Sequence, residues 1–233
     1  MTAQDDATAG LGPTKAGRTA RDWEIRRFTA ADTSAVTALL HRAYAELAAA
    51  GLNFTAAHQD EGTTLRRASA GASWVLLHHG VIAATSTISL PPEDGLRALT
   101  AQAREPGRAW LNQLAVDPGH RGPGLARLLR DTGFDWARRA GAHSVGLDTA
   151  RPAGHLVRLY TGWGFADTDE IRWPGKTYRS NDLNDHDLLR NAQHAVRVGT
   201  HPSLDAVAHV TVPTDPAAVA AEITRLAGAT AAL

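Results

Sequence analysis

Apolar residues recur at Val36, Leu39, Leu40, Ala43, Tyr44 and Leu47, the three-and-four spacing that lays one face of a helix on a core, and the run stops at Gly51. Before it, "WEIRRF" (23–28) alternates as a short strand does, and Thr29 followed by Asp32 has the form of a capping box with Asp in place of Glu. Residues 52–68 read as a loop and a short helix. "SWVLLHH" and "VIAATSTISL" flank His79-Gly80, which predicts a hairpin, and residues 91–108 read as a loop. "AWLNQLAV" (109–116) predicts a central strand. From Gly124, a helical face of Leu125, Leu128, Leu129, Thr132, Trp136 and Ala140 runs to Gly141, which sits where a helix needs a left-handed residue. "HSVGLDTA" (143–150) predicts a further strand and residues 153–163 a short helix. "GFADTDEIRW" and "KTYRSNDL" predict a closing antiparallel pair.

The two ends differ from this middle. Residues 1–22 are small, polar and broken by Gly and Pro, so a disordered arm is expected. In residues 184–233, "LDAVAHVTV" predicts a strand. Asp215-Pro216 supplies an N-cap and first-turn proline to a helix striped by Val219, Ile223 and Leu226. About 50 residues is marginal for independent folding. This unit is therefore expected to dock on the main domain or on a partner chain, a homodimer being one possibility. The expected division is an arm at 1–22, a domain at 23–183 and a strand–helix extension at 184–233.

Composition narrows the chemistry by exclusion. The 24 basic and 24 acidic residues of the 233-residue chain cancel, so no overall field favours nucleic acid or an acidic membrane. There is no cysteine, which removes disulfides, thiolate metal sites and a cysteine nucleophile. No HExxH or HxH pair organises the 11 histidines, so no metal is expected. No apolar run reaches the roughly 20 residues needed to span a bilayer, and the first 22 residues lack the apolar core of a signal peptide. A soluble cytoplasmic protein is the expectation.

The remaining signal is "QLAVDPGHRGPGLARLL" (113–129), an apolar strand, a glycine loop and a helix in immediate succession. A helix start leaves amide N–H groups unpaired and carries partial positive charge, and glycines allow an anion to approach closely. Pro123 has no N–H, so the donors fall to Gly122, Gly124, Leu125 and Ala126, with His120, Arg121 and Arg127 crowding the same end. A tight strand–helix turn without a ligand has the same pattern. A dinucleotide fingerprint fails because position 127 is Arg, and a Walker loop fails for want of Lys-Ser/Thr.

Arg121-x-x-Gly124-x-Ala126 after "LAVDP" resembles the pyrophosphate loop of the GNAT acyl-CoA N-acyltransferases, [QR]-x-x-G-x-[GA]. "LDT" at 147–149, "LY" at 159–160 and "GF" at 164–165 resemble that family's downstream signature, in order, and the resemblance covers about residues 23–183. It implies an α/β fold whose mixed, mostly antiparallel sheet has a central splayed strand pair flanked by helices. It also implies acetyl-CoA as cosubstrate and direct transfer, in a ternary complex, to a primary amine of a small metabolite or antibiotic. A peptide or protein acceptor and a non-catalytic acyl-CoA-binding module are the alternatives.

Site roles carry over by position. The backbone of Leu114, Ala115 and Val116 would pair with pantetheine, and Arg121, Gly122, Gly124, Leu125, Ala126 and Arg127 would hold the pyrophosphate. Tyr160 would protonate the departing sulfur. Asn112 stands where some relatives place a base; an amide cannot titrate, so it would orient a water or the acceptor, and Asp148 is the alternative base. Phe54 and Gln59, with His58, Asp60 and Glu61, fall in the loop that shapes the acceptor pocket. The sequence departs from the family at Ala153 and Leu156, where Asn and Ala are usual near the pantetheine arm.

Overall fold

The computed structural model describes residues 23–122, 124–185, 196–198 and 210–230. The chain enters as strand β1 (Trp23–Arg27) and helix α1 (Thr33–Ala49). At their junction Asp32 Oδ2 accepts the Thr29 backbone N–H at 2.8 Å, and both Asp32 oxygens accept from Arg26 at 2.7 and 2.8 Å. These donors hold the Asp32 carboxyl near a pKa of about 2, the Arg26 hydrogen bond contributing most. Helix α2 (Glu61–Ser69) follows, with Asp60 capping the Thr63 N–H at 2.7 Å.

Strands β2 (Ala72–His78) and β3 (Val81–Ser89) form the expected hairpin. His79 (φ 49°) and Gly80 (φ 79°) both take left-handed backbone, the demand of a two-residue turn that matches strand twist. The segment expected as loop contains helix α3 (Asp94–Arg97) and a 3-10 turn at 102–104, whose Leu96 and Ala103 cover Trp110 and Ile171. Then come β4 (Arg108–Val116), α4 (Leu125–Arg139), β5 (Ser144–Ala150), α5 (Gly154–Gly162), β6 (Phe165–Ile171) and β7 (Ser180–Asp185).

One seven-stranded sheet runs β1-β2-β3-β4-β5-β7-β6, and β4–β5 is its parallel pair. The closing strands pair as expected, with the later one, β7, inserted between β5 and β6. Both faces of the sheet are covered, so "WVLL" in β2 is buried without alternation. Trp74 and Leu76 face α4 through Leu129, Phe134 and Ala137, while Val75 and Leu77 face α1 through Val36, Leu39, Leu40 and Ala43. Truncating Leu39 or Leu129, each fully buried, would cost about 2–5 kcal/mol.

The buried face of α4 is rotated from the expected one. It comprises Leu125, Leu129, Gly133, Phe134 and Ala137, and Ala140 is exposed. Gly133 lies on this face against β3, where a Cβ would fall 2.5 Å from Ile88 Cδ1 and the Ile88 side chain would have to shift.

In the tail, the strand expected over 204–212 is described at β9 (Val210–Val212), which pairs in parallel with β8 (Val196–Val198), a strand with no clear signal in the sequence. Helix α6 (Pro216–Thr230) starts where proposed, Asp215 Oδ2 accepting the Ala218 N–H at 3.0 Å, and Ile223 on its stripe is 62 % exposed. The arm at 1–22, residues 204–209 and the Leu226 side chain lie outside the described residues.

Candidate active site

Strands β4 and β5 pair over Arg108–Trp110 and Ser144–Gly146 and then separate, so β4 from Leu111 onward has no strand partner on that side. The other side of β4 is also irregular. Thr85 pairs with Ala115 and Thr87 with Asn112, leaving Gln113 and Leu114 opposite Ser86 alone. Gln113 takes φ 46° in this bulge, a conformation with a steric cost for a residue bearing a Cβ. A buried network holds it: Gln59 Nε2 donates to Gln113 Oε1 at 3.0 Å and to Thr64 Oγ1 at 2.8 Å, and Gln59 Oε1 accepts from Arg67 at 2.8 Å.

Two cavities flank the separation. The larger, about 570 Å³, is lined by Leu114, Ala115 and Val116 of β4 and by Arg121, Gly122, Gly124, Leu125, Ala126 and Arg127. Gly122 (φ 103°) and Gly124 (φ 85°) turn the chain into α4. The α4 ladder opens with the Leu128 N–H donating to the Gly124 carbonyl at 3.0 Å, so the amides of Leu125, Ala126 and Arg127 have no helical acceptor. These amides, the positive end of a 15-residue helix and Arg127 suit a pyrophosphate. Arg121 instead clasps α1, donating to Glu46 Oε2 at 2.8 Å and the Ala43 carbonyl at 3.1 Å. Ala153 is buried just before α5, while Leu156 lines the cavity with an apolar surface where the family pattern has a smaller residue.

The smaller cavity, about 300 Å³, lies toward α2 and β5 and is lined by Phe54, Asn112, Asp148, Arg67, Trp173 and Lys176, among others. Tyr44, Leu114 and Tyr160 line both cavities. Tyr160 is 8 % exposed; its hydroxyl has no hydrogen-bond partner among the described residues, and burial pushes the phenol well above its ordinary pKa. Tyr44 donates to the Leu114 carbonyl at 3.2 Å. Asp148 Oδ2 accepts from the Trp173 indole at 2.8 Å and Oδ1 from Trp110 at 3.4 Å. Burial raises the Asp148 pKa more than these donors lower it, which suits a carboxyl that takes up a proton.

Asn112 lines this cavity with its Nδ2 committed to Ser89 Oγ and the Trp110 carbonyl, both at 3.2 Å. Gln59 is 5 % exposed and lies behind the wall as a support for Arg67 and Gln113. His58, Asp60 and Glu61 are exposed outside the cavity lining. Sequence reasoning missed Tyr44, which its helical spacing marked as core. It also missed Arg67, Lys176 and the two indoles on Asp148, which no local pattern signals. Among the described residues no three His, Asp or Glu side chains cluster to hold a metal, and no helix is long and apolar enough to cross a membrane.

A splayed parallel pair, a bulged β4 and an amide-lined loop at the start of α4 coincide with one recognisable pattern, since the Acetyltransferase (GNAT) family model matches residues 20–165. The chain belongs to the GNAT acetyltransferase family. It is thus an acyl-CoA-dependent N-acetyltransferase with acetyl-CoA as cosubstrate. Solved structures agree in fold. A putative acetyltransferase from Salmonella typhimurium, determined with acetyl-CoA, is 22% identical with TM-score 0.52 over 70% of this chain and 92% of its own. The ribosomal-protein-S18-alanine N-acetyltransferase of Escherichia coli is 18% identical with TM-score 0.52, over 70% and 92%. A chimeric spermidine N-acetyltransferase from Vibrio cholerae is 14% identical with TM-score 0.51, over 70% and 95%. No curated protein matches the sequence.

Proposed function

We propose that this acetyltransferase acts on a primary amine of a small molecule, by direct transfer with both substrates bound. The observation that carries this reading is the meeting of two cavities at Tyr160, Tyr44 and Leu114. The larger has amide donors and cationic side chains for a coenzyme. The smaller, near the lower end of the ~300–1,000 Å³ common for ligand sites, suits a compact acceptor.

In this reading the amine enters from the side of Asp148 and Asn112, gives up its ammonium proton to solvent, and as the neutral amine attacks the acyl carbon through nitrogen. The C–S bond breaks, Tyr160 gives its proton to the sulfur, and the proton lost by nitrogen passes to Asp148. Solvent restores both groups. The unpaired β4 backbone lies along the coenzyme as a neighbouring strand would, and the bulge held by Gln113 aims its amides. Thiol release from acetyl-CoA, measured across small amines and N-terminal peptides, tests this directly. Release with small amines is expected; release with peptides alone would overturn the acceptor class, and none with any amine would leave a binding module.

A further inference from the structure

The acceptor cavity holds more positive charge than an amine alone calls for. Arg67 and Lys176 line it with Asp148, and Arg66 and Glu93 stand exposed at its rim. Arg67 and Lys176 are each partly buried, yet among the described residues no carboxylate lies within ion-pair distance of either. Their known bonds are to neutral groups. Arg67 Nη1 donates to Gln59 Oε1 at 2.8 Å, and Lys176 Nζ to the Asn53 carbonyl at 2.6 Å and Thr55 Oγ1 at 2.9 Å.

A guanidinium has five N–H donors and an ammonium three, so both keep donors for a ligand. Gln59 is itself buried and bonded to Thr64 and Gln113, which fixes the Arg67 head instead of letting it swing into solvent. The two cations also feel one another: burial and then Arg67 lower the Lys176 pKa, and Asp148 offsets this only in part. Partly burying two like charges with only the more distant Asp148 carboxylate to offset them is unfavourable, and an anion in the cavity would relieve it.

Resting on the acetyltransferase reading above, we infer that the acceptor carries a second, anionic group: Arg67 and Lys176 bind the anion while Asp148 meets the amine. The substrate class is a compact zwitterion, an amino carboxylate or an aminoalkyl phosphate. A plain alkylamine is disfavoured because, once protonated, it enters a cavity whose two inner cations outnumber the one inner carboxylate.

The test compares amines that differ only in the anion: an amino carboxylate, its amide, the matching amine without the acid group, and the matching aminoalkyl phosphate. Thiol release from acetyl-CoA gives kcat/KM for each. The zwitterions should exceed the amide and the plain amine by about 10- to 100-fold, the scale of one lost charge-assisted contact. Carboxylate and phosphate arms identify the anion. Arg67→Gln and Lys176→Met should each abolish most of that preference, with the melting temperature and acetyl-CoA affinity by calorimetry checking that the variants fold, since neither residue lines the coenzyme cavity. Plain amine matching the zwitterions would overturn the inference and leave the acetyltransferase reading standing. If no amine supports release, that reading fails instead, and calorimetry with CoA present decides the anion site: zwitterion binding lost in Arg67→Gln supports it, and no binding to the unaltered protein overturns it.

Discussion

Replacing Tyr160 with Phe separates the proton-donor role from a packing role, because the structure gives the hydroxyl nothing else to do. The ring packs edge-on against Trp163 and Phe165, at centroid distances of 5.6 and 6.2 Å, and Phe retains both contacts. The hydroxyl has no partner among the described residues, so its removal strands no donor or acceptor. Stability should change by less than about 1 kcal/mol, or roughly 2–4 °C in a domain of this size. The rate effect is of another order. A general acid contributes about 10²–10⁴-fold, so kcat should fall at least ~100-fold, equivalent to about 2.7 kcal/mol in the barrier. Affinity for acetyl-CoA, measured by calorimetry, should stay nearly constant. A thioester with a more acidic thiol should recover part of the loss, since its sulfur leaves with less help. Burial keeps the phenol protonated, so activity should not decline through Tyr160 ionisation as pH rises toward 10. A Tyr160→Phe enzyme with normal kcat, or with an equal deficit on the activated thioester, would refute this role.

Gly124→Val should weaken acetyl-CoA binding by roughly 10-fold or more through a side chain at the anion's place; Gly141→Val, at φ 89° and likewise open around its Cβ, carries similar backbone strain and should bind normally in the same titration. Gly71→Ala should lower stability by about 2–3 kcal/mol in a denaturant melt, because its Cβ would fall 2.2 Å from the Ile88 carbonyl oxygen, a backbone atom that cannot step aside. Asp32 is ionised down to about pH 2 in the fold and to about pH 3.9 when unfolded, so below pH 4 the unfolded chain binds more protons. Its stabilisation is whole above pH 4 and lost as pH falls toward 2; Asp32→Asn should be less stable at neutral pH and show a flatter acid limb.

The elements along the chain were legible because each has a local cause. The stripe from Val36 to Leu47, the His79-Gly80 turn and the Asp215 cap are all set within a few residues. The strand–glycine loop–helix at 113–129 was legible too, since Gly122, Gly124 and the first amides of α4 lie in one segment, although the engagement of Arg121 with α1 was not. The acceptor cavity was not. Asp148, Trp110, Trp173, Arg67 and Lys176 come from four separate segments and meet only through the sheet order and the β6–β7 connection. Gln59 shows the reverse error, for a polar residue beside a binding loop reads as a contact until burial reveals it as a support. Tyr44 hid in a pattern that fitted core packing equally well. The buried face of α4 was misjudged in part because Gly133, which lies on it, leaves no mark in an apolar stripe.

The separation of β4 from β5 also ties the protein's durability to its metabolic surroundings. A sheet interrupted in its middle lacks contacts that the coenzyme, lying along β4, would restore. At a concentration 100 times its dissociation constant, a ligand bound by the native state alone adds about 2.7 kcal/mol to stability. Amide exchange along Leu111–Val116 should slow as acetyl-CoA rises, and resistance to proteolysis should rise with it. The pool of active enzyme would then follow the supply of its own acyl donor, with no separate regulatory site.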